Sequence, residues 1–121
     1  MLLSLKKTLF IAVGLFWLVS ANTSLASGST GYFNIVNFNQ RECNSMSKGL
    51  ELTLSANHAN PDGCSNSLTV NINCNGNDNF DRLYSTALSA FMAGKNVNFW
   101  VNGCDLTGTS GEANVITVQI E

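Results

Sequence analysis

The stretch Phe80-Asp81-Arg82-Leu83-Tyr84-Ser85-Thr86-Ala87-Leu88-Ser89-Ala90-Phe91-Met92-Ala93-Gly94 decides the fold, because the period of the apolar residues changes there. Phe80, Leu83, Tyr84, Ala87, Leu88 and Phe91 recur at i, i+3, i+4, i+7, i+8 and i+11, which gathers them on one face of an α-helix. Asp78 or Asn79 stands where a side chain caps a helix N-terminus, and Asp81 suits the positive end of the dipole. Gly94 suits the left-handed residue that ends a helix.

On both sides of the helix the period is two, the mark of strands with one buried face. Upstream, Leu68, Val70, Ile72 and Cys74 alternate with Thr69, Asn71 and Asn73, and Leu50, Leu52 and Leu54 alternate with Glu51, Thr53 and Ser55. These two segments read as a hairpin, joined by a loop over residues 57–66 that holds the turn signal Pro61-Asp62-Gly63. An earlier strand runs from Tyr32 to Asn39 after a Ser-Gly-Ser-Thr leader. Its phase slips at Ile35-Val36, where a β-bulge returns Val36 and Phe38 to the face of Phe33 and Ile35. Downstream, Val97, Phe99 and Val101 face the core with Asn98, Trp100 and Asn102 opposite; Ile116, Val118 and Ile120 alternate with Thr117 and Gln119 in the last strand. The order β-β-β-α-β-β, with one helix between strands 3 and 4, is that of the five-stranded oligonucleotide/oligosaccharide-binding (OB) barrel. An open α+β sheet is the other arrangement with this order.

The compartment is written in the first 26 residues and in the cysteines. Lys6 and Lys7 precede an apolar run from Leu9 to Val19, and Ser24-Leu25-Ala26 places small residues where signal peptidase cuts. That run of 11 residues is too short to span a bilayer, for which about 20 are needed. The reading is a signal peptide over residues 1–26, with cleavage after Ala21 as the second choice, and one domain over residues 27–121. All four cysteines (Cys43, Cys64, Cys74, Cys104) fall in that domain, an even count that reads as two disulfides in an exported chain. Without a Cys-x-x-Cys pair or a second histidine beside His58, a zinc site is disfavoured, and no cofactor is expected. Four cysteines allow three pairings. The hairpin brings Cys43 toward Cys74, which leaves Cys64 for Cys104, but the spacing does not choose among the three.

Pro61-Asp62-Gly63-Cys64-Ser65-Asn66-Ser67, the run from Phe80 to Leu88, Ala93-Gly94-Lys95-Asn96-Val97 and Gly103-Cys104 together resemble a group of small exported bacterial proteins. They are also distantly similar to the pentameric B subunits of bacterial toxins, subtilase cytotoxin in particular, which share Phe-x-x-Leu-Tyr-x-x-Ala-Leu and the following Gly-Lys/Gln-x-Val. The likeness covers the C-terminal half, from Pro61 onward. It implies the barrel, a Cys64–Cys104 disulfide, and glycan recognition by a ring of subunits. The matched positions are the buried ones, so no sugar-binding residue carries over.

The 95 residues after Ala26 hold four basic and eight acidic side chains, a net charge of −4 with no basic patch. Phosphate neutralisation by Lys and Arg supplies most nucleic-acid affinity, which argues against a nucleic-acid partner. The site candidates are therefore neutral. Trp100 between Asn98 and Asn102 is either a platform for a sugar ring or partner, or an indole packed under the helix, a loop or a second subunit. Asn34, Asn71, Asn73 and Thr69 extend an outward polar face. The cluster Asn75, Asn77, Asp78 and Asp81 lacks the spacing of a calcium loop and reads as helix capping. No hydroxyl has a base beside it, so the chain reads as non-catalytic; two of Glu51, Asp62, Asp105 and Glu112 meeting in space is the one route to acid–base chemistry. The leading reading is an exported module that binds carbohydrate, secreted or periplasmic and self-assembling. The other is an accessory envelope protein that contacts a protein partner. N-terminal sequencing of the exported product is expected to begin at Ser27; a product that retains Lys6 and Lys7 overturns the signal-peptide assignment.

Overall fold

A computed structural model describes residues 27–44, 48–106 and 111–121. The expected signal peptide, residues 1–26, lies outside them. The elements are β1 (Gly28–Cys43), β2 (Lys48–Leu54), β3 (Asn66–Asn73), α1 (Phe80–Ala93), β4 (Asn96–Cys104) and β5 (Glu112–Ile120). The strands close into one barrel in the order β1-β2-β3-β5-β4. β1 pairs antiparallel with β2 and β4, β2 with β3, and β4 with β5, while β3 and β5 run parallel. This closure is the OB arrangement and excludes the open sheet.

The core follows the alternation. Leu50, Leu52 and Leu54 of β2, Val70 and Ile72 of β3, Val97, Phe99 and Val101 of β4, and Ala113 and Val115 of β5 are buried. Helix α1 packs against the barrel through Ala87 and Ala90, with Phe80, Leu83, Tyr84 and Phe91 partly buried around them. Phe38 of β1 meets the rings of Tyr84 and Phe91, at centroid distances of 5.3 and 5.7 Å. Gly94, at φ 64°, ends the helix in the left-handed conformation, and the Gly94 and Lys95 amides donate back to Phe91 and Ala90.

Four local expectations change. β1 starts at Gly28, so the presumed leader is strand: Gly28 and Ser29 pair with Val101 and Trp100, and the buried Thr30 Oγ1 accepts the Phe99 amide across a bulge. The expected bulge at Ile35-Val36 exists and Phe38 returns to the core, but Val36 is itself the extra residue and stays 57% exposed. In β5 the ladder slips between the Trp100↔Thr117 and Val101↔Val115 pairs. That slip turns Val115 inward and leaves Ile116 exposed, with Ile120 and, on β3, Leu68 also exposed. Asn79 is the N-cap residue of α1 but its side chain makes no cap bond; the Asn77 side chain accepts the Asn79 amide instead.

Both proposed disulfides form, Cys43–Cys74 and Cys64–Cys104, with Cα separations of 6.0 and 5.6 Å. The second sits on a hydrogen-bonded loop: Asn60 Oδ1 accepts the Cys64 amide, and Asp62 accepts the Gly103 amide at 2.6 Å. Beside the first, Gly49 has φ 102°, and a Cβ there would stand 2.8 Å from Cys74 Cβ and 3.2 Å from Phe80. Gly76 also has positive φ, 63°, but nothing lies within 4 Å of its added Cβ. In thermal melts Gly49→Ala is therefore expected to lower Tm well beyond Gly76→Ala; equal losses would show that the close approach at Gly49 is not limiting.

Candidate binding surface on the outer wall

Because Val97, Phe99 and Val101 point inward, Asn98, Trp100 and Asn102 point out from β4, as their alternation implies. Trp100 is 43% exposed and lies opposite Ser29 of β1 and Thr117 of β5. Asn102 is exposed. Asn98 has structural work: its Oδ1 accepts Ser29 Oγ at 2.5 Å, the Gly31 amide at 3.1 Å and Thr30 Oγ1 at 3.5 Å, which fixes the β1 bulge. Only its amide nitrogen is left to meet a ligand. The sequence reading missed Tyr32, which pairs with Asn98 across β1–β4 and is 44% exposed. Tyr32 and Trp100 are thus diagonal neighbours on one wall. The signal was Phe33, whose inward phase sends Tyr32 outward.

A second polar group lies further around the barrel. The pairs Asn39↔Glu51, Glu51↔Asn71 and Asn71↔Asn114 run a row across β1, β2, β3 and β5. Asn39 Nδ2 donates to Glu51 at 3.4 Å, and Asn71 Nδ2 donates to Asn114 at 3.2 Å. Arg41 lies over the row: its guanidinium donates to Asn71 Oδ1 at 3.4 Å and approaches Glu51 at 3.5 Å and Glu112 at 3.7 Å. Asn71, beneath Arg41, is buried although it points away from the core, and so is Thr69, whose carbonyl lies against His58. Asn34 stays exposed. Asn73 is half-buried, and its side chain accepts the Asn75 amide. Between the Val101↔Val115 and Cys104↔Ala113 pairs, Asn102 and Gly103 stand opposite Asn114, so the row runs on toward Trp100.

Of the four acids that sequence offered for a pair, Glu51 and Glu112 meet. Asp62 is spent on the Gly103 amide and Asp105 on the Glu112 amide. Glu112 is 7% exposed. Burial, first, and then the hydrogen bond and charge of Glu51 and the charge of Asp105 push its carboxyl up to about 8, against the pull of Arg41. The hydrogen bond from Glu112 is the main cause that holds Glu51 below the usual carboxylate range, with Asn39 and Arg41 assisting against burial. The pair therefore shares one proton at neutral pH, carried on Glu112. Among the described residues, Arg41 Nε, Asp62 Oδ1, Thr69 Oγ1 and Glu112 Oε2 are buried with no hydrogen-bond partner, although Glu112 Oε2 faces the Arg41 guanidinium at 3.7 Å.

Elsewhere, His58 is buried with Nδ1 2.7 Å from the Ala59 carbonyl and Nε2 3.0 Å from the Thr69 carbonyl, and so braces the β2–β3 loop. Asn77 serves the turn before α1: its Nδ2 donates to the Asn73 carbonyl and its Oδ1 accepts the Asn79 amide, so the cluster shapes the turn without a side-chain cap on the helix. Beside α1 a groove of about 310 Å³ is lined by Asn79, Arg82, Leu83, Thr86, Ile116 and Val118. Among the described residues, no three His, Cys, Asp or Glu side chains gather as metal ligands.

The shared proton carries a pH signature. The fold keeps a proton on Glu112 that the unfolded chain gives up near 4.5, so stability from this group is full below that value and falls as pH rises toward about 8. Denaturant melts at intervals across that range are expected to decline for the wild type and to flatten for Glu112→Gln; identical slopes would refute the shared proton. Compared with protein-family models, curated proteins and solved structures, the chain matches none.

Proposed function

We propose that the chain is an exported, non-catalytic binding module that takes a carbohydrate on the outer wall of β1, β4 and β5. The observation that carries this reading is the pair of exposed aromatics, Tyr32 and Trp100, set among neutral hydroxyls and amides: Ser29, Asn98, Asn102, Thr117 and Gln119. A sugar ring presents an apolar C–H face and a rim of hydroxyls. An indole covers the first, and amides and hydroxyls bond the second. The acidic balance of the exported residues leaves nucleic acid disfavoured.

The acids support the non-catalytic part. Glu51 and Glu112 share a proton and both approach Arg41, and such a network across β1, β2 and β5 perturbs carboxyl groups for structural reasons. Two disulfides suit an oxidising compartment, secreted or periplasmic. The likeness to toxin B subunits adds self-assembly into a ring, which would present several copies of the wall to one glycosylated surface. The second reading, an accessory protein that docks on a protein partner, draws on the groove where Leu83, Ile116 and Val118 line one side of α1.

A glycan array probed with oxidised protein is expected to give selective binding that Trp100→Ala abolishes and Tyr32→Ala weakens by roughly tenfold or more. An array without signal, with the variants as well folded as the wild type, overturns the carbohydrate reading. Capture of a protein that free sugar does not compete would favour the docking reading.

A further inference from the structure

We infer that the Arg41–Glu51–Glu112 cluster is a second contact point for the same carbohydrate, a subsite that receives one neutral hydroxyl group. This inference rests on the carbohydrate reading and extends it along the barrel. Three polar atoms carry it. Among the described residues, Arg41 Nε, Thr69 Oγ1 and Glu112 Oε2 are buried without hydrogen bonds, the last held only by the 3.7 Å ion pair to Arg41. Thr69 and Glu112 each precede the Val70↔Ala113 pair, across the slip that sets Glu112 opposite Asn66, and Arg41 lies over both acids, so the three atoms belong to the same β1-β2-β3-β5 stretch of wall. Thr69 and Glu112 are themselves more than nine-tenths buried, at 8% and 7% exposure. Buried polar groups are nearly always satisfied, so three unmet ones together mark a place that a partner group completes.

The unmet capacities are those a hydroxyl fills. Arg41 Nε donates, Thr69 Oγ1 donates or accepts, and the Glu112 carboxyl does either according to its proton. With Arg41 and Glu51 charged and Glu112 protonated, the cluster sums to zero. A ligand cation would then meet the guanidinium and a ligand anion would meet two acids, whereas a neutral hydroxyl meets no opposing charge. Glu51 and Arg41 form the solvent side of the cluster, with side chains 22% and 30% exposed, and a ligand hydroxyl reaches the buried atoms when the Arg41 side chain swings aside. From Thr117, opposite Trp100, to Glu112 is five residues of β5, roughly 16 Å at strand rise, with Asn114 and Asn102 between. One short oligosaccharide spans that distance.

The chemistry makes the subsite sensitive to pH. The charged groups facing Glu112 are Arg41 from β1, Glu51 from β2 and Asp105 after β4; β3 presents only Asn71 and Thr69. When Glu112 gives up its proton at about 8, the cluster gains a second carboxylate that Arg41 no longer balances and loses a donor. Affinity then falls as pH rises.

The test uses the neutral glycan that binds most strongly on an array of neutral, sialylated and sulfated structures. Its dissociation constant is expected to rise about tenfold from near-neutral pH to about one and a half units above the Glu112 transition. Glu112→Gln, which cannot ionise, is expected to lose the pH dependence, while Trp100→Ala loses binding throughout. A wild-type constant that does not move with pH, or an unchanged pH profile in Glu112→Gln, overturns the subsite and leaves the carbohydrate reading intact. Selection of only anionic glycans also overturns it. Absence of any glycan binding removes the parent reading, and the subsite with it.

Discussion

Closure of the barrel is the constraint on which the rest depends. Five short strands enclose room for one layer of side chains, so each must give one face wholly to apolar residues and keep the other for the outside. β3 can reach β5 only in parallel, because the chain passes through α1 and β4 before β5 begins. The seam is irregular, with a register slip between the Asn66↔Glu112 and Val70↔Ala113 pairs. The two disulfides stand at places where the ladder alone holds least: Cys43–Cys74 ties the open end of the β2–β3 hairpin to β1, and Cys64–Cys104 ties the loop before β3 to the end of β4. In a domain of this size, such ties supplement a core too small to be stable by burial alone.

The outer wall follows from the same closure. Curling a sheet this tightly needs bulges, and they occur in β1 between Ser29 and Tyr32 and at Val36, and in β5 at Ile116. Each bulge re-aims side chains. The first sets Tyr32 outward beside Asn98 and recruits the Asn98 carboxamide to hold the irregular backbone. The last exposes Ile116 and makes one wall of the groove under α1. At the seam, long polar side chains from β1, β2 and β5 cross over β3, and Asn71 is buried by charge and amide contacts instead of by the core.

Much of the barrel was legible because single-period alternation is a local property. Leu50, Leu52 and Leu54, and Val97, Phe99 and Val101, occupy the core as their spacing required, and the helix face from Phe80 to Phe91 lies against the barrel. Legibility failed wherever a residue was inserted. At Ile116 an unbroken alternation of Ile, Val and Ile looked like a core strand, but the slip against β4 gave the buried place to Val115. Of the site, Trp100 and Asn102 could be placed from phase alone. Tyr32 could not be joined to them, because its partnership with Asn98 depends on β1 meeting β4 across 66 residues of chain.

The sequence by itself determined the order of elements, the face each regular strand turns inward and the neutral, amide-rich character of the surface. These follow from period, turn chemistry and composition, which need no knowledge of distant neighbours. Only the tertiary structure decided which pairing of four cysteines forms, which two of four acids meet, and which polar groups are left buried without partners. Those outcomes depend on strand register and barrel closure: one slipped residue reverses a side chain's face, and contacts between β1, β2, β3 and β5 exist only once the sheet has joined its own edge.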